Sequence, residues 1–291
     1  MMNEEMNGQF KFDLDSEKAL VVQGNSFAMA RYDMSNMEQK LFCILLSTIS
    51  QKDEYFVLTN FKVIDIAKMM DIHPNVLYRD LKKICENLMS TVYEVQTDNG
   101  DWEMVNLFSY AKYKGKQGIV GFKLNIDAKP YLLQLKKFFF QFKLNNVLLL
   151  DGKYSIRLYQ QGKSHLNLGS YIITVDEFIK ELKLFKKSYK RFSNIKARVI
   201  LPAIEEINLK TDIVMDFEEI RLGRNPHSLK FYVKPKKQAT ISPTKSIKPS
   251  KSSNKINFNN FEGREYDYDS LERALLGWEK SISIEDVTKK R

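Results

Sequence analysis

Residues 63–89 read VIDIAKMMDIHPNVLYRDLKKICENLM, and residues 174–208 read TVDEFIKELKLFKKSYKRFSNIKARVILPAIEEIN. Both stretches predict one order of elements: a short helix, a tight turn, a longer amphipathic helix carrying basic residues, then strand-like sequence. In the first, Ala67 is small enough to let a second helix approach closely. Asp71, His73 and Pro74 end the first helix, since the residue before a proline is pushed out of the αR region. From Asn75 onward, Leu77, Leu81, Ile84 and Leu88 recur at helical spacing as a buried stripe, opposite Arg79, Lys82, Lys83 and Glu86. Strands follow at 91–96 and 102–110, joined by Asp98-Asn99-Gly100, and a third at 119–124.

In the second stretch Thr174 caps a helix, with Glu177 three residues on. A longer helix spans about 192–208, and Pro202 predicts a kink or restart within it. Ile213, Met215 and Phe217 alternate, answered by Leu229, Phe231 and Val233 around the turn Gly223-Arg224-Asn225-Pro226. A helix-turn-helix followed by a β-hairpin is a winged helix, and its second helix suits the DNA major groove.

The fold class is therefore α+β: two tandem winged-helix domains, then a flexible basic linker and a short C-terminal helical peptide. Residues 1–18 read as a disordered lead, 19–135 as the first domain, 136–150 as a connector helix region and 151–235 as the second domain. Residues 236–257, rich in Lys, Ser and Pro, read as the linker, and 258–291 as a docking peptide. Within the first domain, 20–22 form a strand, Ser35 and Glu38 a capping box opening a helix to about residue 50, and 55–58 a short strand. The apolar run at 130–150, centred on Phe138, Phe139 and Phe140, is a packed connector or part of both cores. A helix at 154–162 and a strand at 171–173 begin the second domain.

Bulk composition narrows the function. The 291 residues carry a formal charge of +10, with 36 lysines against 10 arginines, which favours a polyanionic partner. The two cysteines, Cys43 and Cys85, lie on apolar helical faces without metal or disulfide spacing and read as reduced core thiols. The N-terminus is acidic and lacks an apolar core, so no signal peptide is expected. No apolar run is long enough to span a membrane, and a cytoplasmic location follows.

The densest positive stretch, 183–198, has no acidic residue. Its candidate DNA contacts are Lys186, Lys187, Tyr189, Lys190, Arg191, Asn194, Lys196 and Arg198. On an ideal helix Asn194 and Arg198 project to one side, where Asn reads adenine and Arg reads guanine with two hydrogen bonds each. In the first domain the candidates are Asn75, Tyr78, Arg79, Lys82 and Lys83. Wing contacts are expected from Lys112, Lys114, Lys116, Arg221, Arg224 and Lys230. The alternatives are a solvated lysine-rich face in the second domain and ion pairs along the helix in the first. In the tail, Phe258, Phe261, Tyr266, Tyr268, Leu271, Leu275 and Trp278 mark a tethered docking segment for another protein.

No catalytic set, metal site or cofactor is expected. His73, His165 and His227 lie far apart in sequence. Gly162-Lys163-Ser164 ends like a phosphate-binding loop, but Arg157 stands where that loop needs glycine.

Blocks spread along the chain carry a resemblance: LVVQGNSFAMARYDMSNMEQKLFCILLSTI (20–49), GFKLNIDAKPYLLQL (121–135), YSIRLYQ (154–160) and RVILPAIEEIN (198–208). In this order they resemble the theta-type plasmid replication initiators, iteron-binding Rep proteins with tandem winged helices. The resemblance implies binding to directly repeated double-stranded DNA at an origin, opening of an adjacent AT-rich segment and recruitment of host helicase or helicase loader. It also implies repression of the chain's own promoter, as a dimer on an inverted repeat. By this resemblance Asn194, Lys196 and Arg198 sit on the second reading helix, and Arg79 and Lys82 on the first. Sequence alone leaves open a repressor without a replication role, an origin-nicking enzyme and a protein-binding scaffold.

Overall fold

The computed structural model describes residues 9–10, 15–50, 53–96, 101–133, 139–223 and 225–236. It begins with β1 (Gln9–Phe10), β2 (Leu20–Gly24), α1 (Asn25–Ala28) and α2 (Asn36–Leu46). The first helix-turn-helix unit comprises β3 (Thr59–Lys62), α3 (Val63–Met69) and α4 (Pro74–Ser90). Two hairpins follow, β4 (Val92–Gln96) with β5 (Trp102–Asn106), and β6 (Phe108–Lys114) with β7 (Ile119–Leu124). Next come α5 (Lys129–Leu133), β8 (Phe139–Lys143), α6 (Leu144–Leu148) and α7 (Lys153–Ser164). The second unit is β9 (Ser170–Thr174), α8 (Val175–Glu181), α9 (Phe192–Ile195), a π-helical segment (Lys196–Ile200), α10 (Leu201–Lys210), β10 (Ile213–Leu222) and β11 (Asn225–Pro235).

The two units repeat one topology. In each, a strand leads directly into the first helix and then pairs with the last strand of the hairpin. The strands they share are ordered β3-β7-β6 and β9-β11-β10 and pair antiparallel, and the first sheet adds β1 in parallel at the β3 edge. The turn between helices is also the same. Asp71 and Lys183 adopt left-handed φ of 52° and 51°, and the next residue bonds back five positions: Ile72 N–H to Ala67 O at 3.0 Å, Leu184 N–H to Ile179 O at 2.9 Å. This is a Schellman closure, which satisfies helix-end carbonyls and normally prefers glycine. Neither position is glycine, so this part of the repeat has no glycine signature.

Local chemistry sets the helix ends as expected. Ser35 and Glu38 form a reciprocal capping box on α2, and the Thr174 hydroxyl accepts from Glu177 N–H at 3.2 Å. Such caps are worth about 1 kcal/mol each. Leu77, Leu81, Ile84 and Leu88 are all buried, which seats α4 on the core. Cys43 is buried and Cys85 half-buried; burial raises both thiols, Cys43 to about 12 and Cys85 to about 11.

Several expectations need correction. Residues 139–143 are not part of a connector helix but a strand, β8, paired antiparallel with β2 from Leu20↔Lys143 to Gly24↔Phe139. Phe140 and Phe142 alternate inward, so the period is two and the helix reading fails over 139–143; among the described residues of 136–150 only 144–148 is helical. Phe138 lies outside the described residues. The strand placed at 55–58 is instead Thr59–Lys62. The strand expected at 102–110 is two strands in separate sheets, parted at Leu107. The lead is not wholly unstructured: Gln9–Phe10 pairs in parallel with β3, and Asp15 O accepts from Lys18 and Ala19 N–H. The open edge of β3 offers unpaired backbone groups, and that edge is what β1 occupies. The turn Asp98-Asn99-Gly100 lies outside the described residues, although β4 and β5 pair on either side of it.

Helix α7, assigned to the second domain by sequence, lies between the two units. Ser155 through Gly162 are all buried. Gly162 packs closely on β10: a Cβ there would lie 2.8 Å from Met215 Sδ, so the Met215 side chain would have to shift. Residues 237–291, including the linker and the docking peptide with Phe258, Phe261, Tyr266, Tyr268, Leu271, Leu275 and Trp278, lie outside the described residues.

Candidate nucleic-acid interface

In the first unit His73 and Pro74 start α4. The His73 Nδ1 accepts from Asn75 N–H at 3.2 Å, and Pro74 occupies a first-turn position whose N–H has no helical partner anyway. Asn75, Arg79, Lys82 and Lys83 are exposed on this helix. Two of the cations are partnered on their own helix. Arg79 makes two bonds of 2.8 Å to the Asp80 carboxylate, which lowers the Asp80 pKa. Lys82 lies 3.8 Å from Glu86, one turn on. Lys83 has no ion pair among the described residues. Tyr78, the remaining candidate on this helix, is half-buried. Its hydroxyl packs on the wing turn, where a Cβ on Gly118 would meet it at 2.7 Å. Gly118 has φ of 61°, and its carbonyl accepts from Val63 N–H at 2.9 Å, so wing and helix-turn-helix are joined there. Lys112 and Lys114 lie on β6, and Lys116 in the turn that follows.

In the second unit the cations are disposed otherwise. Lys186, Lys187, Lys190 and Arg191 are exposed in the turn before α9, with no ion pair among the described residues. Tyr189 is half-buried, its ring edge-on to Tyr154 with centroids 6.4 Å apart. Asn194 turns back, donating from Nδ2 to Ser188 O at 2.8 Å, so it braces the turn with half of its amide. Lys196 opens the π segment and pairs with Glu219 of β10 at 2.8 Å. Arg198 is exposed and has no partner among the described residues. Arg221 bonds Glu219 from the other side, at 2.7 and 3.2 Å. Lys230 reaches over the Tyr232 ring, 4.8 Å from its centroid. Arg224 lies outside the described residues.

The π segment answers the expectation of a kink at Pro202. Proline has no N–H to donate to the carbonyl of residue 198, as a regular helix requires. The backbone widens into a π turn over Lys196–Ile200, and α10 restarts with Pro202 in its first turn. The ideal-helix alignment of Asn194 with Arg198 therefore does not hold beyond residue 196, since an inserted residue rotates later side chains by about 100°. Short π segments are found frequently at functional sites.

Charges that sequence spacing did not reveal tie the units together. Arg31, in the extended segment between α1 and α2, bonds Glu94 of β4 at 3.0 Å and Glu177 of α8 at 2.7 Å. Lys183 adds a contact to Glu94 at 3.7 Å. Arg157 donates to Ala30 O at 2.6 Å and stacks on Tyr32, 3.8 Å from the ring centroid. Glu206 of α10 accepts from the Asp151 and Gly152 N–H groups at 2.6 and 3.1 Å, fixing the start of α7. Arg31 and Glu177 are 146 positions apart, so no local pattern signals the pair.

Among the described residues no group of His, Cys, Asp and Glu is arranged to hold a metal ion, and no helix is long and apolar enough to cross a membrane. Lys163 of the phosphate-loop-like segment pairs with Asp212 at 2.9 Å. His165 stacks on Tyr171 and its Nδ1 lies 2.9 Å from Gln161 O.

Comparison with known proteins places this geometry. Residues 20–163 match the family described as Initiator Replication protein, WH1, and residues 174–233 match Initiator Rep protein, WH2. The first match crosses the boundary that sequence placed at 150 and takes in α7. A replication initiation protein of Escherichia coli is 28% identical over 234 residues, covering 76% of this chain and 72% of that protein. The crystal structure of the Pi initiator protein in complex with iteron DNA is similar with a TM-score of 0.61 at 25% identity, covering 75% of this chain and 98% of the other.

Proposed function

This chain belongs to the replication initiator family with WH1 and WH2 domains, and from that premise we propose that it initiates plasmid replication by binding repeated double-stranded DNA sites at an origin. One observation carries the reading. A strand, two helices and a hairpin occur twice, with the same order of those three strands, in a chain similar over nearly the whole length of an initiator solved on iteron DNA. In this reading α4 and the π-interrupted helix of the second unit enter successive segments of the major groove.

The second unit supplies most of the phosphate contacts, through Lys186, Lys187, Lys190 and Arg191, and Arg198 reads a base edge. In the first unit Asn75, Arg79, Lys82 and Lys83 face the duplex, and Arg79 exchanges its Asp80 partner for phosphate. Lys112, Lys114, Lys116, Arg221 and Lys230, on the wings, add contacts to the phosphates, and Arg224 is a further candidate. Two units held in one body gain from effective concentration, since the second contact becomes intramolecular. The protein acts in the cytoplasm without bond chemistry of its own. It promotes opening of the origin, and residues 258–291 recruit the host helicase or its loader. Occupancy of an operator by a dimer represses its own promoter.

Binding of the full chain to duplexes with directly repeated origin sites and to shuffled duplexes of equal composition tests the proposal. Preference for the repeats supports it; equal affinity for both overturns it. Deletion of 258–291 should leave that preference intact while abolishing plasmid maintenance in cells.

A further inference from the structure

Glu219 is an acidic residue where a phosphate-binding surface would be expected to exclude one. It sits on β10, and its side chain is only 12% exposed. One carboxylate oxygen accepts from Lys196 Nζ at 2.8 Å, at the start of the π segment. The other accepts from Arg221 Nε and Nη2 at 3.2 and 2.7 Å, toward the wing tip. Lys196 and Arg221 remain 42% and 59% exposed, so their heads are oriented without being hidden. Hydrogen bonds, that from Lys196 foremost, hold the Glu219 carboxyl below its usual range, so it is charged at neutral pH. These groups line an open groove of about 510 Å³ between the reading helix and the wing, together with Leu201, Phe217 and the exposed carboxylates Asp216 and Glu218; of the three acids only Glu219 holds both cations. The Lys196 ammonium also lies 5.6 Å from the Phe217 ring centroid.

We infer that Glu219 is a specificity-determining positioning residue: it fixes Lys196 on the reading helix and Arg221 on the wing in one relative geometry for a single DNA register. The inference rests on the reading of the second unit as a DNA-binding surface. The physical argument is one of opposite signs. A partly buried carboxylate near phosphates repels DNA of any sequence, so by charge alone its removal strengthens binding to every duplex. Long basic side chains without a fixed partner have many rotamers, and ordering them on a particular site costs entropy. Glu219 therefore weakens indiscriminate binding and strengthens the fit to one site. Unlike Asp80, which sits beside Arg79 on one helix, Glu219 couples two separate elements.

The test compares full-chain wild type with Glu219→Ala and Glu219→Gln on an origin-repeat duplex and on a shuffled duplex at fixed salt. For Glu219→Ala, affinity for shuffled DNA should rise severalfold while affinity for the repeat falls, so the ratio drops about tenfold or more. Glu219→Gln, which keeps an acceptor but not the charge, should fall between. Lys196→Ala should lower the ratio too, and the double variant should be no worse than the worse single variant. Thermal melting of each variant accompanies the binding data. If Glu219→Ala moves both affinities by the same factor, or if its loss adds independently to that of Lys196→Ala, Glu219 has no part in specificity and the inference is overturned. A wild type with equal affinity for both duplexes overturns the underlying reading as well, and so separates the two failures.

Discussion

The two helices proposed to enter DNA share a fold position and differ in nearly everything else. In the first unit α4 runs unbroken for 17 residues, and Arg79 and Lys82 are partnered by acids on the same helix. In the second unit the helix is broken by a π segment at Pro202, and four cations ahead of it have no acidic partner among the described residues. Lys196, at the start of the π segment, is tied to another element, the wing strand. A cation partnered on its own exposed helix gains little and is readily screened. An unpartnered cluster at a helix start adds to the field that draws phosphate. One topology thus serves two uses: the second unit supplies attraction and selectivity, and the first supplies a second grip along the same duplex.

The widest expected difference lies in salt dependence. Affinity of the full chain for its repeat should fall about 10³–10⁵-fold between 50 and 200 mM salt if roughly 6–10 phosphates are neutralised. Alanine at Lys186, Lys187, Lys190 and Arg191 should flatten the log–log slope by about 3–4, at about 0.9 per lost phosphate contact. Alanine at Arg79, Lys82 and Lys83 should flatten it by only about 1, because two of the three must first leave carboxylates. Equal flattening in the two variants would erase the contrast.

Base preference comes next. Arg198→Ala should cost about 1–3 kcal/mol at one base pair of the site, seen in competition with single-base variants of the repeat. A uniform loss over all variants would make Arg198 a phosphate contact.

The wing turns offer a smaller contrast, in stability. Gly118 and Gly223 both have left-handed φ, of 61° and 68°. A side chain in that region costs about 1–2 kcal/mol. Gly118→Ala should exceed Gly223→Ala in denaturant unfolding, because only at Gly118 does the added Cβ run into another group, the Tyr78 hydroxyl.

A further contrast concerns pH. Burial raises Glu181 to about 8, although Arg157 pulls it the other way. A carboxyl whose folded pKa lies above its ordinary value holds its proton more tightly when folded. Its contribution to stability is therefore complete below about 4.5 and fades as pH rises toward about 8. Glu181→Gln should melt with less change between pH 6 and pH 8.5 than wild type does. A wild type and variant with identical pH slopes would show that Glu181 is ionised in the fold.

These contrasts mark what was legible in the sequence. The helix-turn-helix pairs, the caps at Ser35 and Thr174, the stripe Leu77-Leu81-Ile84-Leu88 and the break at Pro202 all rest on local periodicity or local backbone chemistry, and each appears in the fold. The strand β8 is hidden because the run Phe138-Phe139-Phe140 masks the period-two alternation of Phe140 and Phe142, and its partner β2 lies more than a hundred residues earlier. The partners of the candidate cations were legible only where they are neighbours, as with Asp80 and Glu86. Glu219, Arg31 and Glu177 act across the fold, and no spacing rule announces them. Tyr78 and Tyr189, expected to face DNA, turned partly inward because an aromatic body beside a core gains more from burial than from solvent.

Footprinting of the full chain on a duplex carrying one origin repeat tests the central claim most directly. Two protected major-groove segments about one helical turn apart, with protection of the second-unit segment persisting to higher salt, are the expected result. A single protected segment, or protection without sequence preference, would contradict it.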